Sequence, residues 1–191
     1  MNGIKKSRMS PMKGSRSENK AAPEGRMKPY AGFAGIYDRI MEGVDYEGWA
    51  DYIESLLQRF NRQPRSLLDL ACGTGSLTLE LAKRGYDMIG IDISPEMLNR
   101  AVEKADLCGV SPLWVCQDMR SFELYGSVDT ILCTMDSLNY IVDVNDMRAV
   151  FRLAGNYLNP GGLFIFDLNT PYKFEHIFAD NIFYEVRDDI A

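Results

Sequence analysis

The 191-residue chain has a single histidine, His176, and four cysteines, Cys72, Cys108, Cys116 and Cys133, none in a CxxC pair. A zinc centre needs its ligands clustered at short spacings, so the sequence gives no reason to expect a metal, and the spacing argues equally against a disulfide framework. Cys116 and Cys133 stand in apolar, strand-like runs, where a buried free thiol is expected. No apolar run approaches the ~18–20 residues that span a bilayer. The first residues carry charge but no apolar stretch of signal-peptide type. The expectation is a cytoplasmic protein with no membrane partner. There is no internal repeat.

Positive charge is scarce outside the first residues. Residues 1–28 hold eight Lys and Arg against Glu18 and Glu24, a net +6, so the remainder carries −12 of the chain's total of −6. An acidic body argues against a nucleic-acid groove. The basic arm is rich in Ser, Gly, Pro and Lys and poor in large apolar residues, so it is expected to be disordered over 1–28. What remains, with 46% apolar and 25% charged residues overall, suits one soluble domain with a sizeable core.

From Ile36 to Phe60, Trp49, Tyr52, Ile53, Leu56, Leu57 and Phe60 recur at spacings of three and four, predicting helix with a break near Gly43 and Asp45. SLLDL, from Ser66, reads as a strand. LTLELAKRG follows as a helix ending at Gly85. DMIGIDI is a second strand, and Ser94-Pro95 supplies an N-cap and first-turn proline for a helix through Ala105. PLWVCQ and VDTILCT read as the third and fourth strands. A helix over about 145–158 stops at Asn159-Pro160-Gly161-Gly162, and LFIFDL is the fifth strand. Strands apolar throughout, alternating with helices, predict an α/β doubly wound, mostly parallel sheet.

The segment LLDLACGTG, Leu67 to Gly75, ends a strand with a carboxylate and then sheds its side chains. In a doubly wound sheet, ligands bind beyond the carboxyl ends of the strands. Gly73 and Gly75 would let a ligand approach the backbone closely. A dinucleotide site wants GxGxxG, and the third glycine is missing: the run is Gly73-Thr74-Gly75-Ser76-Leu77-Thr78. Asp69 would repel a pyrophosphate but suits a ligand with a positive amino group. Asp92, 17 residues after Gly75, ends the second strand and could accept from both hydroxyls of a ribose. Asp118 follows the third strand and could accept from an adenine amino group, with Met119 packing on the ring. Three successive strands thus end in acidic residues beside one glycine loop.

Together these segments resemble the class I S-adenosylmethionine-dependent methyltransferases. DLACGTG resembles the family's first motif, GIDISPEML its second and CQDM its third. CTMDSLNYI resembles the segment after the fourth strand, and LNPGGLFIFDLN the turn and strand that follow. YAGFAGIYDRIMEGVDYEGWADYI resembles the lid helices of small-molecule members. The resemblance implies a Rossmann-like fold with lid helices over 29–62 and a cofactor-binding core over 63–170. It implies that Asp69, Ala71 and Gly73 hold the methionine end of S-adenosyl-L-methionine, and that Asp92, with Met97 nearby, takes the ribose. Asp118 and Met119 would take the adenine, the backbone at Cys133 the amino group, and Tyr37 would close over the sulfonium. Ala71 departs from the family's usual glycine. Tyr37 and Asp136 are the catalytic candidates, with His176 a weaker third. The expected reaction is methyl transfer to a small-molecule nitrogen or oxygen. An NAD-dependent oxidoreductase and a non-catalytic cofactor-binding fragment are the alternatives. Family members usually continue past LFIFDL, so the chain is expected to be C-terminally truncated, with LFIFDL at an open edge and residues 171–191 beginning a substrate-covering insertion.

Overall fold

The computed structural model describes residues 34–179 and 181. The basic arm over 1–28 and most of NIFYEVRDD lie outside the described residues.

A short helix α1 (Ala34–Ile40) runs through a single 3-10 turn (Met41–Gly43) into α2 (Tyr46–Arg59). The break falls where Gly43 and Asp45 predict it. Asp45 caps α2, its carboxylate accepting from the Gly48 amide at 2.8 Å. The core then alternates: β1 (Ser66–Leu70), α3 (Ser76–Lys83), β2 (Asp87–Asp92), α4 (Pro95–Cys108), β3 (Leu113–Cys116), β4 (Val128–Cys133), α5 (Val144–Tyr157) and β5 (Leu158–Phe166). Ser94 caps α4 through its hydroxyl, and Gly109 ends that helix in the left-handed conformation.

The five strands order as β3-β2-β1-β4-β5, and every pairing is parallel. Alternate side chains of the central strands feed two cores. Leu68, Leu70, Ile131 and Cys133 face Phe122, Val150 and Ala154, while Leu67 and Leu132 face Ala50, Ile53, Leu57, Leu77 and Leu81. Helices therefore cover both faces, with α5 on one and α2 and α3 on the other. Helix α2 is bolted down by apolar contact and by Arg84, whose guanidinium reaches Asp51 at 2.6 Å and Glu54 at 2.8 Å.

One boundary differs from expectation. Helix α5 ends at Tyr157, and Leu158 already pairs with Val128 in the sheet. The next pairs start at Thr130 and Leu163, so Asn159-Pro160-Gly161-Gly162 bulges out within β5. The bulge folds onto Asp129, whose carboxylate accepts from the Asn159 side chain at 2.8 Å and from the Arg65 amide at 2.8 Å. A Cβ on Gly162 would lie 2.7 Å from the Asp129 carbonyl oxygen, so the bulge needs glycine there. Among the described residues, strand β5 lies at one end of the sheet.

Candidate cofactor site

Strand order reverses between β1 and β4, and a cleft lies at their carboxyl ends. Its walls include Tyr37 of α1 and Tyr46 of α2, Asp69, Ala71 and Thr74 from β1 and its loop, and Thr134 and Met135 after β4. Three predicted residues, Tyr37, Asp69 and Ala71, thus line one cleft.

Asp69 is only 4% exposed. Its carboxyl accepts the Thr78 hydroxyl at 2.6 Å. Burial pushes it up to about 7, against the pull of the Thr78 hydrogen bond and with a smaller push from Asp92. Such a group gains from any cation placed beside it. Ala71 stands in the left-handed region at φ 58°, which accounts for glycine being usual at that point.

Asp92 organises the loop as well as ending β2. One oxygen accepts the Gly73 amide at 2.8 Å and the other the Ser94 amide at 2.8 Å. Burial raises its pKa, and these backbone bonds pull it back. A carboxylate has about four lone-pair positions, so acceptor capacity remains for a ligand's hydroxyls. Gly73 faces the lid: a Cβ there would lie 3.9 Å from the Tyr37 ring. Gly75 does something else. A Cβ at Gly75 would lie 2.5 Å from the Trp114 ring and 3.0 Å from the Ala101 methyl, at φ 72°. The missing side chain makes room for Trp114, which covers Gly75 and Gly90 from the edge strand.

Tyr37 is raised to about 12 by burial and by its neighbours Tyr46, Tyr140, Asp92 and Asp38. It is therefore a phenol at neutral pH, suited to donating a hydrogen bond and unsuited to abstracting a proton. Asp136 is not in the cleft wall. It sits just beyond β4 at φ 65°, with its amide on Asp167 at 3.0 Å and its carboxylate 3.4 Å from the Lys173 ammonium. His176 stacks on Tyr172 with ring centroids 4.3 Å apart, also outside the cleft wall. Of the two catalytic candidates, Tyr37 lines the cleft, and Asp136 stands between Met135 and Ser137, which line it too.

Asp118 is held by Arg120, whose Nε lies 2.9 Å from one carboxylate oxygen, and Arg120 reaches on to Asp146 at 3.0 Å. This pairing lowers the Asp118 pKa. Met119 packs against the core cluster of Phe122, and Met97 is buried at the start of α4, its amide on the Ser94 hydroxyl at 3.2 Å. Cys133 is fully buried at the end of β4, and burial raises its thiol pKa far above the ordinary value. Sequence reasoning missed Asp38, Tyr46, Thr74, Ser76 and Lys104, which join the lid to the loop. The hydroxyls flanking Gly75 were the available signal.

Residues 67–162 match the family model described as a methyltransferase domain. YqeM of Bacillus subtilis (strain 168) is 36% identical over 163 residues, covering 85% of this chain and 64% of its own. The dTDP-3-amino-3,4,6-trideoxy-alpha-D-glucopyranose N,N-dimethyltransferase of Streptomyces venezuelae is 28% identical over 77% of this chain and 60% of its own. Among solved structures, an S-adenosylmethionine-dependent methyltransferase from Clostridium acetobutylicum ATCC 824 superposes with a TM-score of 0.73 at 39% identity. That match covers 83% of this chain and 65% of the other. The chain thus spans less than two thirds of the length of these relatives.

Proposed function

Because the chain belongs to the class I S-adenosylmethionine-dependent methyltransferases, we propose that its cleft binds S-adenosylmethionine for methyl transfer to a nitrogen or oxygen of a small molecule. The observation that carries this reading is Asp69. A carboxyl buried in the cleft wall, raised to about 7 and bonded to a neutral hydroxyl, fits a ligand that brings an ammonium group. The spare acceptor capacity of Asp92 fits the ribose diol, and the open Cα of Gly73 fits close approach of the chain linking the two.

When bound, S-adenosylmethionine supplies a methyl group already activated on a sulfonium. The protein's part is then to bind and align. Holding a nucleophile in line at ~3–3.5 Å can supply several kcal/mol without a dedicated base. Asp69 would hold the amino end and Asp92 the ribose. Asp118 would reach the adenine only by sharing its carboxylate with Arg120. Tyr37, a neutral phenol over Gly73, would donate a hydrogen bond and exclude water. Amino-sugar and glycine/sarcosine N-methyltransferases among the relatives weight the acceptor toward a nitrogen.

Titration calorimetry with S-adenosylmethionine and, in parallel, NAD tests the reading. Saturable binding of the first and none of the second is expected, with Asp69→Asn weakening it about tenfold or more through loss of a charged partner. Binding of NAD, or no binding of S-adenosylmethionine, would overturn it.

A further inference from the structure

Helix α1 carries Tyr37 over the glycine loop, yet Ala34 is the only buried residue in its seven. Among the described residues, apolar packing therefore gives this helix little hold. The hold is polar. From α4, the Lys104 ammonium lies 2.8 Å from Asp38 of α1, 2.6 Å from the Ser76 hydroxyl and 3.2 Å from the Thr74 hydroxyl. Thr74 itself donates to the same Asp38 oxygen at 2.5 Å. An ammonium has three protons, and here three oxygens from three separate segments receive them. Tyr46, the first residue of α2, lines the same cleft as Ser76. The Lys104 and Asp38 side chains are 27% and 29% exposed, enough burial to strengthen the pair and enough water to let it open.

We infer that Lys104 and Asp38 form a latch that closes the lid on the glycine loop and positions Tyr37 at the site. The inference rests on the cleft being the cofactor site, but the latch exists without any ligand. Asp38 is adjacent to Tyr37 in a single helical turn, so fixing one fixes the other. Thr74 lies between Gly73 and Gly75, so the same cluster sets the loop against the lid. Opening requires breaking one ion pair and its hydrogen bonds, with little apolar surface to separate.

Two measurements on Lys104→Met, Asp38→Asn and Lys104→Arg test it. The first is amide hydrogen exchange without ligand. Exchange across 36–43 should quicken about tenfold in Lys104→Met and Asp38→Asn, with β1 and β4 unchanged and Lys104→Arg close to the parent. The second is stopped-flow release of S-adenosylhomocysteine. Release should quicken about tenfold in both latch variants with the association rate nearly unchanged, and added salt should quicken it in the parent alone. Parental exchange over 36–43 in both variants would overturn the latch. So would parental release rates in a protein that binds the ligand. Failure of the parent to bind S-adenosylhomocysteine would strike the cofactor reading, while the exchange result would still decide the latch.

Discussion

At the scale of single residues, the site is built from carboxyls with different surroundings. Asp69 keeps its proton to about pH 7 in the folded chain, against about 4 when unfolded. Between those values the folded state holds the extra proton, so the contribution of Asp69 to stability falls as pH rises from ~4 to ~7 and then levels off. Asp69→Asn should remove that contribution, so the difference between variant and parent in denaturant melts should change across that window. A ligand ammonium favours the charged form, so affinity for S-adenosylmethionine should rise about tenfold per unit up to pH ~7 and flatten above it. Calorimetry finding the same affinity at acid and neutral pH would count against Asp69 as the ammonium acceptor. Asp92 carries two duties, since its oxygens hold the Gly73 and Ser94 amides. Asp92→Ala should weaken S-adenosylmethionine binding roughly 10–150-fold and also lower stability by about 1–3 kcal/mol, because two amides lose their acceptor. Loss of stability with unchanged affinity would leave Asp92 a scaffold residue only.

At the scale of elements, Trp114 gives Gly75 a packing reason to lack a side chain. The indole of β3 lies where a Gly75 side chain would stand. Gly75→Ala therefore meets a clash as well as an unfavourable φ of 72°. Trp114→Ala should cost about 3 kcal/mol for the space it leaves. In that background, Gly75→Ala should cost less than in the parent, because only the backbone strain remains. Additive losses in thermal melts would mean that the ring is not what excludes the side chain. The elements themselves were legible in the sequence because their signals are local. Period-3.6 apolar spacing marked α2, the Ser94-Pro95 pair marked α4, and continuous apolar runs marked β1, β2 and β4. The end of α5 was less so. Asn-Pro-Gly-Gly reads as a turn, and only pairing of Leu158 with Val128 shows it to be a bulge inside a strand. Asp69 stood out by its place at a strand end beside the glycine loop, Ala71 and Tyr37 came from the family resemblance, and all three line the cleft. The roles of Gly75, Arg120 and Lys104 could not be read in this way, since each depends on a partner 2 to 66 residues away whose distance no spacing rule encodes.

At the scale of the whole molecule, an apolar edge stands against net negative charge. Among the described residues, β5 has no strand on its outer side. Phe151, Phe164 and Phe166 cluster there, with centroids 5.0 to 5.3 Å apart, and Phe151, Phe166 and Leu168 are 40%, 39% and 48% exposed. A parallel edge with such side chains is a template for pairing with another chain. The chain's net charge of −6 opposes that association, and salt weakens the opposition without weakening apolar contact. The 191-residue chain should therefore self-associate more at about 0.5 M salt than at about 0.05 M, the reverse of an assembly held by ion pairs. Phe166→Lys, which puts a charge on the edge, should restore a monomer at both salts. Sedimentation velocity over a range of concentrations would read this directly. A monomer at high salt would mean that the edge is already protected. Association that persists in Phe166→Lys would place the contact on another surface, and hydrogen exchange over 163–168 would then remain as fast in the oligomer as in the monomer.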